Sequence, residues 1–282
     1  MVLLSCGMIK SVIQAHLFIF LATCFTSMNY SIAKIVMPSE ITPYSIVLTR
    51  IVLSVAFFFI LDALLSAKEK YRLSIQDIVR LIICGTMGVA LNQLTLYKGL
   101  SITTPINAAL IVATIPVFVL ILSALFFRSM PTWKQSLGVM ISASGAYYLI
   151  MYTSNGIEIK NLTGDVLILL NCISYAIYLV LVKPLLEKYP PLFITKWMFA
   201  VAALVVFPFT YQDTLQTDWF HISTEGWLAY AYIILFATLF NYYFTTATLQ
   251  WLSPVTTGAY GYLQPFIATL FAVSLGLDFL SP

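Results

Sequence analysis

Nine apolar runs of near-constant length decide what this chain can become. They cover 12–33, 43–63, 79–99, 105–126, 132–152, 164–184, 192–210, 226–249 and 255–276. A helix of about 20 apolar residues crosses the hydrocarbon core of a bilayer. The runs lack the two-residue alternation of a membrane β-barrel. Of the 282 residues, 61% are hydrophobic and 9% charged, whereas a soluble domain carries roughly 25% charged residues. The fold class expected is therefore an all-α polytopic membrane protein. Pro43, Pro105, Pro131, Pro191 and Pro254 stand at or near span starts, where a missing N–H costs little. Asn155-Gly156 and Gly164-Asp165 form a polar break after the fifth run. Lys10 and Leu21-Ala22-Thr23-Cys24 imitate a cleavable leader, but the apolar run continues past Cys24, so it is read as a retained helix.

The residues available for chemistry exclude most functions. Cys6, Cys24, Cys84 and Cys172 are widely spaced and lie in or beside apolar runs, without a CxxC, as small packing residues do. His16 and His221 have no second ligand at helical spacing, so no metal and no cofactor is expected. There is no HExxH, no pair of intramembrane aspartates and no Ser–His pair, which argues against an enzyme. A basic stripe for nucleic acid is also missing.

The chain repeats itself. At an offset of 149 residues, Lys34 falls on Lys183, Asn92 on Asn241, Leu100 on Leu249, Pro105 on Pro254 and Pro116 on Pro265. Residues 1–155 are read as a first repeat of five helices and 156–282 as a second. An odd number of helices inverts one copy relative to the other, the plan of many carriers. The second copy's fifth helix should begin near position 281, so the tenth helix of a ten-helix plan is expected to be missing from these 282 residues.

With the N-terminus in the cytoplasm, the inner loops hold Lys10, Lys68, Lys70, Arg72, Arg80, Arg128, Lys134, Lys183, Lys188 and Lys196 out of 14 Lys and Arg. That bias predicts a cytoplasmic N-terminus and insertion in the cell's inner (plasma) membrane.

Taken together, Arg50, Asn92-Gln93, Tyr97-Lys98-Gly99-Leu100, the stretch from Pro105 to Pro116, Tyr262-Leu263-Gln264-Pro265 and Gly276-Leu277-Asp278 resemble the EamA domains of the drug/metabolite transporter superfamily. The resemblance spans nearly the whole chain. It implies a ten-helix carrier that exports amino acids, other metabolites or drugs. The family's glutamate after the fourth helix of a repeat has Asp278 in its place in the second copy, and Arg128-Ser129 occupies that region in the first.

Polar side chains inside hydrocarbon need a partner or a wet cavity, which makes each a candidate. Asn92 and its mate Asn241 are read as substrate contacts. Gln93 is not, because adjacent helical residues point about 100° apart. Arg50 offers a bidentate site for a carboxylate. Tyr175 and Tyr178, Tyr260 and Gln264, and Tyr97 with Lys98 complete the candidate binding set. Each of these residues has an alternative reading as packing, an interhelical hydrogen bond or a snorkelling cation. Pro116 and Pro265, each 11 residues into its span, are candidate hinges. Asp62 is read as solvated, and no deeply buried acid is found, so facilitated diffusion or exchange suits the sequence at least as well as proton antiport. The expected function is a secondary transporter of small metabolites working by alternating access, with a small solute and the bilayer as partners and a homodimer possible. A non-transporting receptor or assembly protein, and an intramembrane enzyme, are the alternatives.

Overall fold

The computed structural model describes residues 11–37, 39–65, 71–127, 132–134, 136–141, 144 and 162–274. All regular elements among them are helical. We label α1 Val12–Val36, α2 Pro43–Leu65, α3 Ile75–Ile102 and α4 Pro105–Phe127. The label α5 denotes the described helical residues within 133–144. Then come α6 Leu162–Leu186, α7 Pro191–Gln216, α8 Thr224–Thr248 and α9, a broken run over 254–274. Seven of these are long and apolar enough to cross a membrane. Most of the fifth span, the 155/156 division, the residues expected to precede a tenth helix, and Cys6, Lys10, Lys68, Lys70, Arg128, Pro131, Lys160 and Asp278 lie outside the described residues.

Side-chain chemistry at the helix starts is duplicated. Ser74 accepts from Asp77 N and Ser223 from Gly226 N, while Thr104 accepts from Asn107 N and Ser253 from Thr256 N. These caps satisfy amide groups that have no partner within the helix. Position by position they are 149 residues apart, the offset at which Gln93 meets Tyr242. The repeat is thus written into the caps as well as the spans.

Packing exchanges helices between the repeats. The α1 helix lies against α8 and α9, and its counterpart α6 lies against α3 and α4. The two second helices, α2 and α7, pack on each other. The result is a pair of interlocked bundles related by a pseudo-two-fold axis, the inverted five-helix repeat plan. Large apolar side chains such as Ile13, Leu64, Leu125, Leu204, Leu215 and Leu270 face outward, and polar ones face in, as a lipid solvent requires. At the α3/α6 crossing, Gly99 and Gly164 abut. A Cβ on Gly99 would come 3.0 Å from the Gly164 carbonyl.

The two prolines do not sit inside continuous bent helices. Ala113-Thr114 interrupts α4, and a 3-10 turn, Tyr260–Leu263, interrupts α9. The next helical segments start at Ile115 and Gln264, with Pro116 and Pro265 second. A proline there forfeits no helical hydrogen bond. Gly261 of the α9 break lies against the Pro116 ring, so the two breaks meet at the pseudo-axis.

Two acids depart from expectation. Asp62 is an ion-pair partner of Lys196 and largely buried. Asp77 is 2% exposed. It receives hydrogen bonds from Ser74 Oγ at 2.7 Å, Lys188 Nζ at 2.9 Å and Tyr189 OH at 3.0 Å, and stands in the first turn of α3, where the helix dipole favours an anion. In the connection after α6, the Tyr189 phenol is held above its usual range, first by burial and then by Asp77, so it remains a donor.

Candidate functional site: a central polar chamber

Two stretches of π-helix, Thr86–Leu91 in α3 and Leu235–Phe240 in α8, organise the interior. They are equivalent in the repeat, and each ends at the asparagine singled out from sequence, Asn92 or Asn241. A π-turn widens the helix and strands a carbonyl, and such turns are frequent at functional sites. The stranded carbonyls are at equivalent positions, Gly88 and Ala237. Tyr242 OH donates to Gly88 O at 3.0 Å. Arg50 Nη2 donates to Ala237 O at 3.0 Å, and its Nε to Thr238 Oγ1 at 2.8 Å. Each repeat therefore supplies the side chain that holds the other repeat's π-turn.

Around these turns lies a chamber with about 560 Å³ of non-atom space, counting its mouth. Its polar lining comes from both repeats and includes Asn29, Tyr30, Arg50, Asn92, Gln93 and Asn171 from α1, α2, α3 and α6, and Tyr175, Asn241, Tyr242 and Gln264 from α6, α8 and α9. A smaller chamber of about 310 Å³ adjoins it along α1, lined by Ile19, Ala22, Thr23, Thr257, Gly258 and Gly261 among others. Thr26, Ile115, Tyr175, Asn241 and Gln264 border both. The partition is tied by Thr26 Oγ1 donating to Asn241 Oδ1 at 3.1 Å, while Tyr30 OH donates to Gln264 Oε1 at 2.6 Å.

Arg50 is the only charged side chain lining either chamber among the described residues. It is 2% exposed, and its guanidinium lies 4.7 Å from the centroid of the Tyr97 ring. Tyr97 OH in turn donates to Asn29 Oδ1 at 3.1 Å. A cation–π contact and two neutral acceptors hold the cation without a carboxylate. Asn92 and Asn171 are joined by reciprocal bonds: Asn171 Nδ2 donates to Asn92 O at 2.8 Å, and Asn92 Nδ2 to Asn171 O at 3.4 Å. Asn171→Ala leaves the buried Asn92 carbonyl without that donor and should cost about 1–3 kcal/mol, read as a lowered thermal midpoint in detergent.

Of the candidates drawn from sequence, Arg50, Asn92, Asn241, Tyr175 and Gln264 line the chamber together. The others do not line it. Tyr97 lies beneath Arg50. Tyr178 packs on Gly88 and bonds Thr246 Oγ1 at 2.9 Å. Tyr260 meets His16 Nδ1 at 2.8 Å, and Lys98 lies 5.6 Å from the Tyr44 ring centroid. Gln93, set aside because it points away from Asn92, lines the chamber too. The space at the pseudo-axis is broad enough to take side chains 100° apart. Tyr242 went unselected as well. Its signal was available, because it is the residue equivalent to Gln93, and the two meet at 3.2 Å.

The sequence profile of the EamA-like transporter family matches the chain twice, over 13–151 and 162–277. The chain belongs to the EamA-like transporter family. Its similarity to an uncharacterized transporter of Archaeoglobus fulgidus is 24% identity over 83% of this chain and 78% of that one. The transporter YyaM of Bacillus subtilis, also described as uncharacterized, is 24% identical over 89% and 83% of the two chains. A probable terminal-alkyne amino-acid exporter of Streptantibioticus cattleyicolor is 28% identical, over 40% of this chain and 37% of that one. A solved structure titled "Crystal structure of protein" superposes with a TM-score of 0.72 at 15% identity, covering 96% of this chain and 91% of that one. This EamA-like protein is thus a multi-pass membrane transporter, not an enzyme, built on the ten-helix, two-repeat plan.

The lysines matched in the repeat also find a structural role. Lys34 Nζ donates to Ser101 O at 3.4 Å at the end of α3, and Lys183 Nζ to Leu249 O at 2.7 Å and Gln250 O at 3.3 Å at the end of α8. A cation at a helix C-terminus meets carbonyls and a favourable dipole. The two clamps sit at equivalent places in the two repeats of the EamA-like fold.

Proposed function

We propose that the protein is a secondary carrier that exports small metabolites, amino acids or related polar and aromatic solutes, by alternating access. The observation that carries this reading is the central chamber, walled by both repeats, with Arg50 buried in it. The proposed cargo site comprises Arg50, Asn92, Gln93, Asn241, Tyr175 and Gln264, with Tyr97, Tyr178, Tyr260 and Lys98 supporting the walls. The proposed moving bodies are the interlocked bundles α1–α8–α9 and α6–α3–α4, articulated at the breaks before Pro116 and Pro265. With the boundary between repeats at 155/156 and the N-terminus cytoplasmic, as the lysine and arginine bias favours, Lys34 closes the outer side and Lys183 the inner. Export as the direction, and amino acids as the broad class, draw support from the partial likeness to the amino-acid exporter. We place the protein in the plasma membrane, with a homodimer compatible with this arrangement.

The test is flux of a mixed amino-acid and metabolite panel in proteoliposomes. A companion form carries Lys34→Cys and Ser101→Cys, at the place where Lys34 of one body reaches the Ser101 carbonyl of the other, with the native cysteines replaced. A reducible crosslink there should abolish saturable flux, and reduction should restore it. Flux that persists through the locked form rules out alternating access, and no flux of any panel solute by folded protein rules out the carrier reading.

A further inference from the structure

We propose that the central chamber selects a small monoanion, a carboxylate whose other polar group is a neutral hydrogen-bond donor, over the matching zwitterion, and that its export is electrogenic. This rests on the carrier reading above and narrows its substrate class.

Two independent features of the chamber point there. The first is charge. Arg50 has five N–H donors. Two are engaged, on Ala237 O and Thr238 Oγ1, and the lining among the described residues contains no acid. A buried cation with only dipoles and a ring for company is under-compensated. A carboxylate fits the free part of the guanidinium fork.

The second is Gln93. It is 1% exposed, lines the chamber, and its Oε1 has no hydrogen-bond partner among the described residues. Tyr242 OH has one hydrogen, which lies within reach of Gly88 O at 3.0 Å and Asn92 Oδ1 at 3.2 Å. It therefore accepts from Gln93 Nε2 at 3.2 Å, and that fixes Oε1 as the free end of the amide. The cargo must bring a donor to it.

That donor is neutral for an electrostatic reason. In an α-amino acid the ammonium nitrogen stands two bonds from the carboxylate carbon, so a carboxylate seated on the guanidinium brings the ammonium to about 6 Å from it, where an effective dielectric constant of about 20 gives a repulsion equal to roughly 100-fold in affinity. A hydroxyl at the same place meets none. The favoured solutes are therefore 2-hydroxy acids, and amino acids are the disfavoured isosteres.

Charge also fixes the energetics. Each cycle carries one negative charge across with a monoanion and none with a zwitterion. An inside-negative potential then drives the anion outward by about 50-fold in concentration ratio per 100 mV, with no coupling ion. This accounts for a carrier whose chambers hold no titratable carboxylate among the described residues.

The experiment uses matched pairs, phenyllactate against phenylalanine and 2-hydroxyisocaproate against leucine, in proteoliposomes with the potential clamped by valinomycin and potassium gradients. The expected result is flux of the hydroxy acid at least 10-fold above its amino acid, rising as the receiving side is made positive, with the amino-acid flux insensitive to potential. Gln93→Glu, which places an acid beside the donor position, should reverse the preference toward the amino acid. Equal or greater amino-acid flux, or hydroxy-acid flux indifferent to potential, overturns the proposal and leaves the carrier reading intact. So does transport of panel solutes that includes neither hydroxy acid. Absence of flux for every solute overturns both.

Discussion

Saturable flux should fall about 100-fold or more when Arg50 is replaced by alanine. Two charge-assisted hydrogen bonds of about 1.5–3 kcal/mol each tie this side chain to the second π-turn, at Thr238 Oγ1 and Ala237 O. Each 1.4 kcal/mol lost is a decade. The variant strips the Ala237 carbonyl of its donor and the chamber of its cation together. Arg50→Lys separates the two effects. It restores the charge but, as a point donor, cannot span both acceptors, so it should recover about a tenth of the wild-type flux. The measurement is initial-rate flux in proteoliposomes, with thermal unfolding in detergent as the check on folding. Wild-type flux from a folded Arg50→Ala protein would reduce Arg50 to a brace for α8 and remove it from the cargo site.

Gly88→Ala should be among the most damaging additions of a single methyl at the described glycines. An added Cβ would lie 2.5 Å from Tyr178 Cγ and 2.7 Å from Tyr178 Cβ, against a comfortable carbon–carbon separation of about 3.5–4.0 Å. Those atoms are at the root of the tyrosine, so the ring cannot swing clear and α3 must part from α6. Overpacking of this kind costs about 1–3 kcal/mol. The displacement also pulls Gly88 O from Tyr242 and disturbs the first π-turn. The equivalent residue in the second repeat is Ala237, which already carries the methyl. Ala237→Gly is therefore the control, expected to cost about 0.5–1 kcal/mol. Equal thermal midpoints for Gly88→Ala and wild type would show that the α3/α6 contact is looser than its geometry states.

The same pair of positions explains why the two halves differ. Gly85 lets α7 approach α3 until a Cβ at that position would touch the Met198 carbonyl at 2.8 Å. Its counterpart is Ile234, and α2 and α8 approach each other less closely than α3 and α7 do. Arg50 likewise has Phe199 as its counterpart, and Phe199 packs edge-on against Tyr242 with centroids 5.0 Å apart. One repeat therefore braces its neighbour's π-turn with a cation and the other with a phenol. That difference places the one charge that lines the chambers, among the described residues, off the pseudo-axis.

Helix positions were legible in the chain because lipid imposes one rule, about 20 apolar residues per crossing, and the prolines and polar breaks obey it. The repeat was legible from Asn92/Asn241 and the two proline pairs. The capping residues Ser74/Ser223 and Thr104/Ser253 were equally readable at the same offset but are common enough to pass unnoticed. Asp62 was misjudged because sequence shows its own helix end and not Lys196, 134 residues away.

By itself, then, the sequence determined the all-helical membrane plan, the inverted repeat and the asparagines at its centre, because these depend on local hydrophobicity and on periodic spacing. Only the tertiary structure decided the rest. TMGVAL and LFATLF carry no mark of a π-turn. The turn persists because Tyr242 and Arg50, more than 150 residues distant in chain, wait for the carbonyl it frees. Tyr175 and Tyr178 are three residues apart on one helix, yet one lines the chamber and the other fills the space above Gly88. Which side chain faces the cavity is settled by the neighbouring helix that occupies the alternative direction, and no single-helix pattern contains that neighbour.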